Sequence, residues 1–411
     1  MRILVISDLY PTASIKSGYF VYNQIKELSK HSNVSVLIPK ELPMTYRNLS
    51  KIKSILKEIE YLSQLKKEPA PNSYEVGDIM PFLKLPSKHF CFAQSKLFMI
   101  QNKTRILRIV AYFQPDLVYA HQIIPSGGIA SYIKNKYGIP YIIYEHGADI
   151  IGNNTGAGFA LRNSLNFNFC RNVLENASCV LTNSQRMKND VLKFFGNIKV
   201  SINHLGVNFD TYKDFKEKDS RINDQFTMVS LCYLDESKRI QDNIAAVKEL
   251  VNKGYNISYD IYGKGQDEDR LKRIVSINQL DEHIRFMGFL RNEDVIDTLN
   301  KYDLFSLPSW EEAFGVVYLE ALAAGIPAIG TQNEGPDEIN RYGDIIYTVP
   351  RNDVSAIANT IEGLIKDYYS AKERVMLGQK VLLEEFNWSK NVQSLLEKIN
   401  DMHIQTKVFC A

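Results

Sequence analysis

The chain has 411 residues, 45% of them hydrophobic and 23% charged, which gives ample core for two or three soluble globular domains. Its five cysteines, Cys91, Cys170, Cys179, Cys232 and Cys410, are odd in number and form no Cys-x-x-Cys pair, which speaks against a zinc knuckle or a disulfide framework and for a reducing compartment. The net charge of +2 conceals a polarity: residues 1–205 hold 25 Lys+Arg and 13 Asp+Glu, or +12, and the remainder holds 24 and 34, or −10. Such an asymmetry suits one half meeting an anionic surface, although for charge alone a solvated basic face is the plainer reading.

At the N-terminus, MRILVISDLYP carries one arginine and an apolar run stopped by Asp8, too short for a signal-peptide core. No stretch approaches the length of a membrane span, so a cytoplasmic location is expected. Short β-rich runs then alternate with helical patterns. They are ILVIS (3–7), NVSVLIP (33–39), DLVYAH (116–121), YIIYEH (141–146), CVLTNS (179–184) and IKVSINH (198–204). After the polar stretch 206–225, which reads as a linker, come FTMVSLCYL (226–234), ISYDIYG (257–263), IRFMGF (284–289), LFSLPS (304–309), PAIGT (327–331) and IIYTV (345–349). Helical stretches such as YNQIKELSK and DNIAAVKELVNKG, with apolar residues three and four apart, separate them. Strand and helix in alternation imply parallel sheets covered by helices on both faces. The expectation is α/β: two doubly wound, Rossmann-like domains facing each other across a cleft, with ligands beyond the carboxyl ends of the strands.

Residues 310–327, WEEAFGVVYLEALAAGIP, follow one such strand. A helix is expected from near Phe314, ended by Gly325 in a left-handed conformation and blocked from continuing by Pro327. Its first turn offers unpaired N–H groups and a positive dipole end, a seat for phosphate, and Gly315 lets a ligand approach the backbone. Glu312 precedes that seat and Glu320 lies in the helix, about 12 Å further on if the rise of about 1.5 Å per residue held throughout. Two isolated glutamates would read as solvated acids; the surrounding Phe-Gly, Ala-Ala-Gly and Pro favour a ligand seat.

This segment resembles the Glu-x7-Glu signature of family 4 glycosyltransferases, retaining enzymes with the GT-B fold. IYGKGQDEDRLKRI (261–274), IRFMGFL (284–290), YDLFSLPSWEEAFG (302–315) and GTQNEGPDEI (330–339) fit the family in order and spacing. FQPDLVYAHQ (113–122), YIIYEHG (141–147), ASCVLTNSQ (177–185) and NHLGVN (203–208) match more loosely. The resemblance implies that residues 1–205 form an acceptor-binding domain, with a C-terminal helix of about 390–411 packed back on it, and that 206–389 bind a nucleotide-sugar. Glu320 would hold the ribose hydroxyls, Glu312 a hydroxyl of the donor sugar, and the amides of Phe314, Gly315 and Val316 the diphosphate. Lys238 stands where the family has a phosphate-binding lysine. Gly18, Gly263 and Leu290 fall in donor-binding stretches, and His146 stands near the reacting sugar. Two departures are visible: Tyr233 occupies the position of a family arginine, for which Arg239 could supply charge, and the paired glycines are reduced to Gly18 and to Glu334-Gly335.

His121 also ends a strand, with site and backbone roles evenly matched. Asp267-Glu268-Asp269 has the look of a metal motif, but at a helix start acids complement the dipole, and no metal or other cofactor is expected. Gly-x-Gly-x-x-Gly is absent after the first strand, which argues against an NAD enzyme. Residues 80–110 interleave apolar side chains with Lys84, Lys88, Lys96, Lys103, Arg105 and Arg108, and 46–67 add lysines. This pattern suits peripheral docking on the anionic inner face of the plasma membrane, or core helices with their cations turned outward. The expected activity is hexosyl transfer to a glycan or lipid-diphosphate acceptor, forming an alpha-glycosidic bond, with no nucleic-acid partner. A nucleotide-sugar epimerase or hydrolase of the same fold, and a catalytically silent subunit, stay open as alternatives.

Overall fold

The strands of the chain are short and mostly apolar along their whole length, as strands covered on both faces must be. LVYAH, YIIYE and CVLT are buried at every position. A computed structural model describes residues 1–11, 18–43, 79–84, 91–147, 149–150, 163–207, 214 and 225–409. It divides into two units, Met1–His204 with Asn391–Ala411, and Leu205–Lys390.

The first unit holds a seven-stranded, all-parallel sheet: β1 (Arg2–Ile6), β2 (Asn33–Pro43), β3 (Ile79–Lys84), β4 (Leu117–His121), β5 (Tyr141–Glu145), β6 (Cys179–Thr182) and β7 (Val200–Ile202), in the order β3-β2-β1-β4-β5-β6-β7. The second holds six parallel strands: β8 (Phe226–Leu231), β9 (Ile257–Tyr262), β10 (Ile284–Gly288), β11 (Leu304–Ser306), β12 (Ala328–Thr331) and β13 (Tyr347–Val349), in the order β10-β9-β8-β11-β12-β13. In each sheet the strand order reverses at one point, between β1 and β4 and between β8 and β11. Crevices at such switch points are where doubly wound sheets bind ligands.

Twelve of these strands coincide with the runs read from the sequence. β3 does not: residues 79–84 pair in parallel with β2 from Ile38↔Ile79 to Pro43↔Lys84, at the edge of the sheet, where Pro81 and a lysine are tolerated. The rest of the basic–apolar stretch forms the helix Cys91–Phe113. It buries Phe98, Met99, Asn102, Ile106 and Val110 and exposes Lys96, Lys103, Arg105 and Arg108, the arrangement of a core helix with its cations outward. Residues 46–67 and Lys88 lie outside the described residues, as does most of the expected linker 206–225. Its first residues are held: the Val207 N–H donates to the Phe386 carbonyl at 2.8 Å. Among the described residues no helix is long and apolar enough to cross a membrane.

Buried polar ties fix the frame. In the first unit Tyr119 OH donates to Gln24 Oε1 at 2.8 Å, Gln24 Nε2 to Asn391 Oδ1 at 2.6 Å, and Asn391 Nδ2 to the His204 carbonyl. This chain of bonds anchors the C-terminal helix Trp388–Phe409 on the first sheet. In the second unit Asn243, on the helix Ile240–Asn252, donates to Ser230, Tyr259 and the Ser306 carbonyl, which joins that helix to β8, β9 and β11.

Candidate active site

At the β8/β11 switch point the loops after the two strands clasp each other. After β8, Asp235 accepts the Ser237 N–H at 2.9 Å and starts a tight turn, Glu236–Lys238. After β11, the Trp310 N–H donates to the Ser237 carbonyl at 2.7 Å, and Lys238 Nζ reaches Glu312 Oε2 at 2.8 Å. Burial works against the Lys238 charge, but Glu312 outweighs it and leaves the ammonium harder to deprotonate than usual. Glu334 holds Glu312 from behind: its Oε2 accepts the Glu312 N–H at 2.9 Å while Arg351 pairs with Oε1, and the Gly335 N–H donates to the Glu312 carbonyl at 3.0 Å. Neither Glu334 nor Arg351 was legible as part of the site, since Glu334 stands where the family pattern has a glycine.

Phe314 is buried beside Phe386, and the helix begins at Val316, two residues later than the sequence pattern predicts, running to Ala323. The helical rise therefore does not apply between Glu312 and Val316. Gly315 caps it at φ 83°, and a Cβ there would lie 2.5 Å from the Tyr318 ring, so the glycine is required by packing as well as by any ligand. The helix ends as expected. Gly325 has φ 77°, its N–H donates to the Leu322 carbonyl, and the Ile326 N–H donates to that of Ala321, a Schellman ending. Glu320, on this helix, is half-buried, and burial alone pushes its carboxyl up to about 7.

Arg239 is engaged within its own loop. It takes the left-handed conformation at φ 53°, forks onto Asp242 at 2.8 and 2.9 Å, and lies 4.1 Å over the Trp310 ring. Its guanidinium is therefore committed to holding the loop. Tyr233, at the family arginine's position, is 60% exposed. Gly263 and Gly265 lie against the carbonyls of Cys232 and Leu234, where a Cβ would come within 1.8 and 2.0 Å; their place is to let the loops after β8 and β9 touch. Leu290 is half-buried just beyond β10.

The first unit has a second cluster. Gly18 caps the helix Tyr19–Leu28 at φ 86°, with its Cα against the Leu9 carbonyl, where a Cβ would lie at 1.7 Å. His121, at the end of β4, and His146, just after β5, lie nearly coplanar and edge to edge, 7° between planes, with His121 Nδ1 2.9 Å from His146 Nε2. Burial pushes both imidazoles down, His146 to about 3. Asp149 accepts the Ile123 and Ile124 N–H groups at 2.7 and 3.1 Å, and Glu145 accepts that of Gly147 at 2.8 Å. Burial raises both acids, Asp149 to about 6, so this neighbouring pair favours holding a proton. These two acids fix the turns that carry the histidines; the sequence reading had passed over them.

Among the described residues no group of three His, Cys, Asp or Glu side chains converges as a metal site. Asp267 and Glu268 are paired with Arg270 and Lys272 on their own helix.

A family model described as "Glycosyl transferases group 1" matches residues 212–381, and one described as "Glycosyltransferase Family 4" matches residues 65–211. N-acetyl-alpha-D-glucosaminyl L-malate synthase of Bacillus anthracis is 25% identical over 285 residues, 67% of this chain and 72% of that protein. The amylovoran biosynthesis glycosyltransferase AmsK of Erwinia amylovora is 25% identical over 195 residues, 46% of this chain and 47% of that protein. The match to a Salmonella typhimurium relative spans 52% of its length, so the chain spans about half the length of some curated relatives it matches. Among solved structures, Anabaena Alr3699/HepE in complex with UDP and glucose superposes with a TM-score of 0.68 at 17% identity, covering 98% of this chain and 100% of that one, which is a likeness of fold. The sheets, the clasped loops and both family matches agree: the chain belongs to the family 4 glycosyltransferases and has the GT-B fold.

Proposed function

We propose that this transferase moves a sugar from a UDP- or GDP-linked donor to a lipid-linked or polysaccharide acceptor in cell-surface glycan synthesis, with retention of configuration. The observation that carries the reading is the Lys238–Glu312 pair, held at the opening of the helix Val316–Ala323 with Glu320 inside that helix. Lys238 and the N–H groups of the first turn supply positive charge in one place. That charge stabilises a departing diphosphate. Glu312, gripped by Lys238 and through its N–H by Glu334, takes a hydroxyl of the donor sugar. Glu320 takes the ribose hydroxyls; their hydrogen bonds favour its carboxylate, against the burial that raises it.

His146 hydrogen-bonds the sugar near the reacting carbon. No carboxylate attacks that carbon in this reading; the donor's own phosphate takes the acceptor proton on the same face. No metal enters the scheme. A solved relative in complex with UDP and glucose and a relative named for amylovoran biosynthesis support the donor and pathway classes. The exposed Lys96, Lys103, Arg105 and Arg108 support docking on an anionic bilayer, where lipid-linked acceptors reside.

The test is a panel of UDP- and GDP-sugars offered with lipid-diphosphate acceptors, read by thermal shift and by product analysis. A stabilising nucleotide-sugar and transfer with retention are expected. Absence of both binding and transfer would overturn the reading, and release of free sugar without transfer would favour a hydrolase.

A further inference from the structure

Glu334 stands where the family pattern has a glycine, and its side chain is fully enclosed, 0% exposed. One carboxylate oxygen takes the Arg351 guanidinium and the other accepts the Glu312 N–H at 2.9 Å. The next residue completes the grip, since the Gly335 N–H donates to the Glu312 carbonyl at 3.0 Å. Both backbone groups of Glu312 are thus bonded to residues 334–335. So close an approach needs Gly335, where a Cβ would come within 2.2 Å of the Phe314 carbonyl oxygen.

The grip falls where the backbone most needs one. Glu311 takes the left-handed conformation at φ 56°, and Asn333, just before Glu334, does so at φ 61°. For a glutamate that conformation is unfavourable, and it persists only where the surroundings over-determine it. Glu311 is fixed on one side by the Trp310 N–H, which donates to the Ser237 carbonyl at 2.7 Å, and on the other by the Glu312 N–H on Glu334. Without Glu334 the second tie is lost, and Glu311 is free to leave the left-handed region. The Glu312 carboxylate, now 2.8 Å from Lys238, would turn with its backbone. A glycine at 334 has no side-chain oxygen to offer. An acid there in turn needs Arg351, because an enclosed carboxylate with no countercharge is costly and is driven to protonate or move.

We propose that Glu334, neutralised by Arg351, is a positioning residue: it holds the strained backbone at 311–312 so that the Glu312 carboxylate stays on Lys238 and faces the donor sugar. That Glu312 meets a sugar rests on the transferase reading above; the hold on its backbone does not.

Crystal structures and kinetics of full-chain variants test this together. In Glu334→Leu the Lys238–Glu312 pair is expected to open and kcat for transfer to fall about 10- to 100-fold. Affinity for UDP or GDP alone, read by calorimetry, should fall less than about 3-fold, because the nucleotide carries no sugar for Glu312 to hold. Added to Glu312→Ala, Glu334→Leu should deepen the loss of turnover hardly at all, since it acts through the group already removed. Arg351→Met should lower kcat as well. Adding Glu334→Gln, whose amide oxygen accepts the Glu312 N–H and needs no countercharge, should recover most of that loss. An unmoved Lys238–Glu312 pair in Glu334→Leu, nucleotide affinity falling in step with kcat, or additive losses with Glu312→Ala would each overturn the proposal. Should Glu334→Leu fail to fold, Arg351→Met with and without Glu334→Gln decides, and no recovery overturns it. If the native chain turns over no nucleotide-sugar, the transferase reading fails while the variant crystal structures still judge this one.

Discussion

The two clusters sit at equivalent places, the carboxyl ends of strands near the reversal of each sheet, yet their electrical settings are opposite. In the second unit the loops after β8 and β11 are knit by charge: Lys238 to Glu312, Glu334 to Arg351, Arg239 to Asp242 and over Trp310. In the first unit His121 and His146 meet edge to edge, neutral, among aromatic rings. A diphosphate needs positive charge that is already in place. A sugar, which carries no charge, needs oriented neutral donors and a dry wall. On the proposed transferase reading, the charged cluster suits the leaving group and the neutral one suits an uncharged ligand.

The largest test of that division is Glu312→Ala. It removes the acid proposed to hold the donor sugar and strips Lys238 of its 2.8 Å partner, and transfer is expected to fall about 10²- to 10³-fold, with the far-UV circular dichroism unchanged. Undiminished turnover in a folded variant would place the chemistry elsewhere, whereas no turnover by the unsubstituted chain would leave the silent-subunit alternative standing. Next, Lys238→Met should weaken UDP or GDP binding in calorimetry by about 10- to 100-fold, the worth of a charge-assisted hydrogen bond. His146→Phe, in the neutral cluster, should leave that affinity intact and lower kcat instead. Equal losses of nucleotide affinity in both would dissolve the comparison.

A smaller effect separates packing from ligand binding within the charged cluster. Gly315→Ala forces φ 83° on a residue with a Cβ and drives that carbon to 2.5 Å from Tyr318; a loss of about 1–3 kcal/mol is expected in denaturant unfolding. Gly138→Ala, at φ 71° with open space around it, should cost about 1 kcal/mol. The last effect is in pH. Burial raises the folded Glu320 carboxyl from 4.5 to about 7, so the folded state favours its protonated form. That contribution is fully present below pH 4.5 and is lost as pH rises towards and through 7. Relative to the wild type, Glu320→Gln should therefore gain thermal stability as pH is raised from 4.5 to 8. A gap that stays constant over that range would contradict it.

Much of the frame was legible because parallel strands covered on both faces spell themselves as apolar runs, and because Gly325 followed by Pro327 ends a helix by backbone chemistry alone. β3 was missed because an edge strand tolerates Pro81 and Lys84, which read as a basic–apolar surface. The late start of the helix at Val316 was missed because Glu312 and Phe314 are drawn out of it, one by Lys238 and Glu334, the other by burial beside Phe386. The Arg239–Asp242 fork lay three residues apart and in plain sight; the stack on Trp310, 71 positions away, did not. Single site residues could be named from a family pattern. Their partners, Glu334, Arg351, Glu145, Asp149 and the His121–His146 contact, come only from the folding of the sheets.

The most direct measurement is a crystal structure with UDP or GDP bound. The diphosphate is predicted against Lys238 and the N–H groups that open the helix at Val316, with the ribose hydroxyls on Glu320. Phosphates bound away from Lys238, with Glu312 and Glu320 touching no part of the nucleotide or its sugar, would contradict the account.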